Sequence, residues 1–253
     1  MKSSLEIIGV AWSFYKKQPV LNQIAFWLLF VPVGILDALS GMIDTVAAQN
    51  FPIDGRDIQS MTSMEFAITI PIIIGLTYFM AWGHVCTLTV SKKLLSSSAG
   101  RTRTSFKAVR DQSKKFIIPV ILVGILRGVT TLLWSLLLIV PGVIYSIRTI
   151  FFDIIMIEEG KVIYGRETLA KSTDLVKGHG WDIFWRILLI SACIFTPAML
   201  IDMSLQHGLT AIDYRLGELA TVLSDAVDAY TGMFFVICNV ALYAEVKKLS
   251  PTK

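Results

Sequence analysis

The sequence predicts an all-α, polytopic membrane helical bundle of about six transmembrane helices with short interfacial amphipathic helices. Of its 253 residues, 54% are hydrophobic and 17% are charged, which is far more apolar than an average soluble domain. Backbone that faces lipid must be helical or closed into a barrel, and the sequence lacks the alternating pattern of barrel strands. Six apolar stretches are long enough to cross a bilayer: 20–43, 66–90, 116–139, 142–158, 183–201 and 229–246.

The charges between these stretches are sorted by side. Lys and Arg are concentrated in four segments that would lie together: 1–19, 91–115, 159–182 and the tail after Val246. The two remaining loops, 44–65 and 202–228, are acidic, with Arg56 and Arg215 as their only cations. Because short loops rich in Lys and Arg stay in the cytoplasm, the pattern predicts a multi-pass protein with cytoplasmic N- and C-termini.

The net charge of +4 indicates lipid rather than nucleic acid as a partner. The excess cations lie beside membrane spans, where anionic headgroups attract each Lys or Arg by about 1 kcal/mol. The expected partners are therefore membrane lipids, anionic on the cytoplasmic side, with another membrane protein as a further candidate. The candidate contacts are Arg101, Arg103, Lys107 and Arg110.

Short helices at the membrane surface are predicted ahead of three spans. Ser3 and Glu6 fit a capping box, and one face of the helix that follows is apolar at helical spacing: Leu5, Ile8, Trp12 and Tyr15. Similar polar helices with basic ends are predicted at about 106–116 and 161–177.

Each surface helix precedes two apolar stretches. This predicts a threefold internal repeat within a single integral membrane domain, 1–253, with units 1–90, 101–158 and 161–246.

The fourth stretch allows two topologies. Pro141-Gly142 is predicted to end the third span, and the charge sorting needs an even number of crossings before Lys161. Either 116–139 and 142–158 both cross, or together they form a re-entrant hairpin. The third stretch is long enough to cross alone, which favours two crossings.

Three charged residues in the third and fourth stretches form a candidate intramembrane polar site: Arg127, Arg148 and Asp153. Across a hairpin turning at Pro141-Gly142, Arg127 and Asp153 have similar depth, so we expect them to pair. Buried charges in membranes are costly and mark functional sites by default. The cluster could hold an anion, a lipid headgroup or a proton, or it could be an ion pair that only fixes packing.

No pattern in the sequence indicates catalysis. The GxSxG, HExxH and P-loop motifs are absent. Cys86, Cys193 and Cys238 are isolated in apolar stretches without a CxxC pair, which favours packing over a zinc site or disulfide. We therefore predict a non-enzymatic protein with no catalytic, metal-binding or cofactor-binding residues.

The most specific sequence pattern runs from Leu138 to Phe184. Its distinctive positions are Pro141, Gly142, Glu159, Gly160, Ser172, Gly178 and Trp181. This block resembles the bacterial YciC-like inner-membrane family and is similar to the integral membrane region of some glycerophosphoryl diester phosphodiesterases. The resemblance implies a polytopic helical protein of the bacterial cytoplasmic membrane, without phosphodiesterase activity, since that activity belongs to a separate soluble domain.

Two functions follow from these patterns. The first is a supporting role in envelope or lipid homeostasis, exerted through lipid or protein contact. The alternative is a transporter or lipid translocator that uses the buried Arg/Asp site. A water-accessible cavity reaching Arg127 or Arg148 would favour the alternative.

Overall fold

The structure is a computed structural model that describes residues 2–37, 63–95, 105–162, 165–213 and 216–249. Every regular element in these ranges is a helix. We number them α1 (Ser4–Lys17), α2 (Val20–Asp37, with a π-helical segment at Ala25–Phe30), α3 (Ser63–Ser91), α4 (Phe106–Leu137), α5 (Ile139–Arg148), α6 (Phe152–Glu159), α7 (Glu167–Val176), α8 (Gly180–Ile212) and α9 (Gly217–Leu249). A 3-10 turn, Lys92–Leu95, follows α3.

Six helical segments of the described chain have the length and apolar composition of membrane spans: Val20–Asp37, Ile70–Leu95, Phe106–Leu137, Ile139–Glu159, Gly180–Ile212 and Gly217–Leu249. The predicted all-α, polytopic membrane fold is therefore confirmed. The predicted end of the first span at residue 43 lies outside the described residues.

Helix α9 forms the centre of the bundle. It packs most extensively against α8 and also contacts α1, α2, α3 and α7. Its inner face combines Met233, Ile237 and Leu242 with small residues such as Ala229 and Ala241. Small side chains let neighbouring backbones approach closely, which is how helices associate in a membrane.

One end of the bundle carries Lys2, the end of α9 and several charged side chains. Lys2 Nζ lies 3.5 Å from Glu245 Oε1, and Lys247 Nζ lies 2.6 Å from Glu158 Oε1. We call this end the terminal face. The N-terminal helix, the end of α6 and the end of α9 therefore meet on one side, as the charge sorting predicts.

Helix α1 has two apolar faces. The predicted capping box is present, since Ser3 N donates to Glu6 Oε2 at 2.8 Å and Glu6 N donates to Ser3 Oγ at 3.3 Å. The face that packs on α8 and α9 carries Ile7, Ala11 and Phe14. The predicted stripe is divided: Leu5 and Trp12 are 71% and 48% exposed, whereas Ile8 and Tyr15 are partly buried and pack against the core.

The prediction of a separate surface helix at 106–116 is wrong. Val109, Ser113 and Phe116 are buried, but they belong to the first turns of α4, which runs unbroken to Leu137. Lys114 and Lys115 do not end a helix because both are good helix formers inside a regular segment. The first and third surface helices are separate, as α1 and α7.

The third span ends earlier than predicted. Leu138 is extended, with φ −158° and ψ 133°, and α5 begins at the next residue. Pro141 therefore lies in the first turn of α5, where its missing N–H is tolerated. Gly142 is the contact point of the hairpin, because a Cβ added there would lie 2.9 Å from Ser135 Cβ and 3.0 Å from its Cα.

The fifth and sixth spans extend further than predicted. Helices α8 and α9 each contain 33 residues, so most of the predicted outer loop 202–228 is helical. Hydropathy placed the ends of these spans at the first polar residues, whereas the helices continue because no Pro interrupts residues 202–228.

Candidate polar site at the break in the fourth span

The fourth span is two half-helices separated at Thr149–Phe151. Helix α5 ends at Arg148 and α6 begins at Phe152. A break exposes the carbonyl groups at the end of one half and the N–H groups at the start of the other. In hydrocarbon these groups must find partners inside the protein.

Ser172 supplies two of these partners from a different element. Its hydroxyl donates to the carbonyl oxygen of Arg148 at 2.9 Å and accepts from the N–H of Phe151 at 3.1 Å. The side chain is fully buried. One hydroxyl on α7 therefore links the end of α5 to the start of α6.

Arg127 caps the end of α5. Its Nη2 donates to the carbonyl oxygen of Ser146 at 2.9 Å, and its Nε donates to Thr149 Oγ1 at 3.0 Å. Its guanidinium carbon lies 5.7 Å from the centre of the Phe152 ring. A cation is stabilising at the negative end of a helix dipole, so the break itself accounts for this buried charge.

Asp153 lies at the other side of the break, in the first turn of α6. Its Oδ1 accepts from the N–H of Ile154 at 2.8 Å, and its Oδ2 lies 2.8 Å from His84 Nε2. An anion is favourable at the positive end of a helix dipole. The two half-helices thus have a cation and an anion at the ends that the break exposes.

The predicted pairing of Arg127 with Asp153 is wrong. Among the described residues, the ion pair of Asp153 is with His84 from α3, while Arg127 interacts with Asp153 only through space. Matched depth in a hairpin fixes the height of a side chain but not the direction in which it points. Arg148, the third predicted member, has an exposed side chain and contributes its carbonyl oxygen to the break.

Two basic residues cap the far end of α6. Lys92 Nζ donates to the carbonyl oxygen of Ile157 at 2.9 Å, and Lys115 Nζ donates to that of Gly160 at 3.4 Å. Gly160 ends the helix with φ +69°, a left-handed conformation that glycine adopts without steric cost. Part of the positive charge in 91–115 therefore stabilises a helix end.

The remaining positions of the Leu138–Phe184 block differ in their surroundings. Glu159 receives both of its hydrogen bonds from Lys171 Nζ at 2.8 Å, and together with Glu167 it raises the pKa of Lys171. Gly178, with φ +86°, follows α7. Trp181 opens α8 and is 69% exposed.

Of the four candidate lipid contacts, two can be placed. Lys107 is exposed at the start of α4, and Arg110 is partly exposed, with its carbonyl oxygen accepting from Trp82 Nε1 at 3.3 Å. Arg101 and Arg103 lie outside the described residues.

An acidic group at the opposite end was missed by sequence reasoning. Asp225 is 7% exposed; it interacts with Asp37 through a side-chain hydrogen bond and with Asp202 and Asp228 through space. The charge sorting places Asp202, Asp225 and Asp228 in one acidic loop and does not indicate that they meet Asp37. Helical spacing from Asp225 to Asp228 was the available signal for two of them, whereas Asp37 and Asp202 come from other helices. In the described ranges, no group of three or more His, Cys, Asp or Glu is arranged to hold a metal ion.

The roles of His84 and Ser172 were also missed. His84 follows Trp82 by two residues near the end of the second apolar stretch, but nothing local indicates Asp153, which is 69 residues away. Of the cysteines, Cys86 and Cys238 are buried and Cys193 is exposed.

The polar groups at the break are used internally. The hydroxyl of Ser172, two nitrogens of Arg127 and both oxygens of Asp153 contact other groups of the chain. The arrangement holds a broken helix together at the middle of the fourth span and couples it to α3, α4 and α7. Comparisons with protein-family models, curated proteins and solved structures gave no match to this chain.

Proposed function

We propose that this chain is a non-enzymatic protein of the bacterial cytoplasmic membrane that supports envelope or lipid homeostasis through lipid or protein contact. Its terminal face would lie in the cytoplasm, as the distribution of Lys and Arg indicates. Membership of the YciC-like family is part of this proposal and rests on the Leu138–Phe184 block.

The observation that carries the proposal is the outward face of α1. This helix is anchored to α8 and α9 through its other face, and Leu5 and Trp12 remain exposed although the edge of the Trp12 ring contacts Phe234 of α9. Lys16 Nζ lies 5.1 Å from the centre of the Trp12 ring. A helix with an apolar, aromatic face bordered by Lys is typical of contact with an anionic membrane surface.

A second aromatic group lies at the start of α8, near the point where Arg186 donates to the carbonyl oxygen of Lys2. Trp181 and Trp185, at the start of α8, are 69% and 55% exposed. Tryptophan is enriched where headgroups meet the hydrocarbon. Helix α1 contacts α8, so the two aromatic groups lie on neighbouring elements.

The contacts of the polar site favour a structural role over a role in transport. One described cavity lies between α8 and α9, near Asp202 and Asp228, and another lies near Glu158 and Lys171. Neither is lined by Arg127 or Arg148, and the nitrogens of Arg127 that form hydrogen bonds serve the end of α5. This supports lipid or protein contact over the transporter alternative.

The test is retention of phosphatidylglycerol by the purified protein in mixed phosphatidylglycerol and phosphatidylcholine micelles, measured by native mass spectrometry. Replacing Trp12 by Ser together with Lys16 by Gln should lower the number of retained phosphatidylglycerol molecules. Lys171→Gln is the matched control, because it removes a charge that is already engaged by Glu159 and Glu167. Equal retention by both variants would contradict the proposal.

A further inference from the structure

The hairpin of α4 and α5 ends in a tip that is apolar except for Ser135. We define the tip as residues 132–140, which include Trp134 and Leu138. Five consecutive residues are 65–76% exposed: Leu136, Leu137, Leu138, Ile139 and Val140. No charged residue occurs between Arg127 and Arg148.

This composition is unusual for a turn that is exposed to water. Turns that emerge from a membrane are built from Gly, Pro, Asn, Asp and Ser, whose side chains hydrogen-bond the local backbone. Here the single connecting residue is Leu138, and the one polar side chain of the tip, Ser135, faces Gly142. An exposed apolar surface of this kind in water would be an association site.

The lengths of the two legs place the tip at the edge of the hydrocarbon. Lys115 is held at the end of α6 by its bond to Gly160, and from there α4 rises about 33 Å to Leu137 at 1.5 Å per residue. The returning leg, Ile139–Glu159, has 21 residues. A hydrocarbon core is about 30 Å thick and spans are tilted by about 20°, so neither leg has length left over to project into water.

The neighbouring hairpin of α8 and α9 provides an internal comparison. From Trp185 to Ile212, α8 rises about 40 Å, beyond the hydrocarbon core. Its far end carries polar side chains, including Gln206, His207 and Asp213. Of these two hairpins in the described part of the chain, one therefore has the length and polarity of a projecting element and the other has neither.

The lipid-facing side of α4 leads into the tip without interruption. Ile118, Leu122, Ile125, Val129 and Leu132 are 50–60% exposed and recur at helical spacing along one side. In a protein with six membrane-like helices, this side meets acyl chains. The tip continues the same surface.

We infer that the α4–α5 tip stays inside the leaflet opposite the terminal face, in contact with acyl chains, and does not emerge as a loop. Lipid, rather than a second copy of the chain, is the occupant that the geometry indicates, because the tip is continuous with the lipid-facing stripe. This inference concerns the opposite side of the membrane from the proposed function and does not depend on it.

The first test uses nitroxide labels at Leu138→Cys and Val140→Cys, with His207→Cys as control. Each is made with the native cysteines replaced by Ala and reconstituted in phosphatidylcholine and phosphatidylglycerol vesicles. Oxygen concentrates in the hydrocarbon, whereas a water-soluble nickel chelate stays in water. We expect oxygen to relax the labels at Leu138 and Val140 more than the chelate does. At His207 we expect the chelate to relax the label more than oxygen does. Nickel access at Leu138 equal to that at His207 would overturn the inference. Spin–spin broadening between copies would assign the tip to a second copy instead.

A second test keeps the native cysteines. Brominated lipids quench Trp fluorescence only from within the bilayer, so the difference between wild type and Trp134→Phe reports the depth of Trp134. We expect bromine on the acyl chains to quench this difference signal and aqueous iodide to leave it unchanged. Quenching by iodide alone would place the tip in water.

Discussion

His84 Nε2 and Asp153 Oδ2 lie 2.8 Å apart and join the second span to the second half of the fourth. Their side chains are 36% and 13% exposed. The pair fixes α6 against α3, while Arg127 fixes α5 from the side of α4. The two halves of the broken span are therefore held by different neighbours.

This separation predicts the outcome of a double-mutant cycle. His84→Gln and Asp153→Asn should show a coupling energy of about 0.5–3 kcal/mol, because residues in direct contact do not contribute additively. Arg127→Gln combined with Asp153→Asn should show a smaller coupling, since these side chains share no hydrogen bond. The measurement is thermal unfolding in detergent at fixed pH. A larger coupling for the Arg127 cycle would mean that the two charges pair after all.

Removal of the Ser172 hydroxyl should weaken the whole bundle. Ser172→Ala leaves the carbonyl of Arg148 and the N–H of Phe151 without their partner, and a buried unsatisfied group costs about 1–3 kcal/mol. Thr173→Ala is the control, because its hydroxyl bonds to Leu169 O within the same helix. Thermal unfolding in detergent should separate the two variants. Equal stability would show that the break is satisfied in another way.

The contact at Gly142 should tolerate no side chain. Gly142→Ala places a methyl group 3.0 Å from the backbone of Ser135, and overpacking of this kind costs about 1–3 kcal/mol. Gly128→Ala, in the same hairpin, meets nothing within 4 Å and should be neutral or stabilising. Comparison of the two melting temperatures tests this, and an unaffected Gly142→Ala variant would mean that the hairpin is looser than it appears here.

The fold class could be predicted because it depends on composition. Apolar length and the sorting of Lys and Arg are properties of the chain itself, so the six spans followed directly. Helix ends such as Leu137 depend on a contact between Gly142 and Ser135. The partner of Asp153 depends on the direction in which the His84 side chain points from α3. These are tertiary relationships, and neither hydropathy nor matched depth contains them.

The basic residues around 91–115 should divide into two groups by effect. Lys92→Gln or Lys115→Gln removes a cap from the end of α6 and should lower thermal stability. Replacement by Gln should instead weaken binding to phosphatidylglycerol vesicles at four other positions: Arg101, Arg103, Lys107 and Arg110. The expected loss is about 1 kcal/mol per charge close to the surface. Parallel unfolding and vesicle-binding assays test the division. Loss of vesicle binding in the Lys92 variant at unchanged stability would contradict it.

Topology can be tested by labelling in intact cells. Cysteines at Ser60 and Gln206 should react with an impermeant thiol reagent added outside, whereas one at Ser97 should react only after lysis, because the Lys- and Arg-rich segments stay in the cytoplasm. A cysteine-free parent supplies the background signal. Reaction at Ser97 with protection at Gln206 would invert the orientation, and opposite behaviour of Ser60 and Gln206 would require an odd number of crossings between them.

The central position of α9 has a consequence for biogenesis. Helices α1, α2, α3 and α8 all contact α9 and all leave the ribosome before it. The contacts that they make with α9 cannot form until residues 217–249 are synthesised and inserted. A stop codon ahead of Gly217 would therefore leave inserted spans without the helix that connects them at the centre of the bundle.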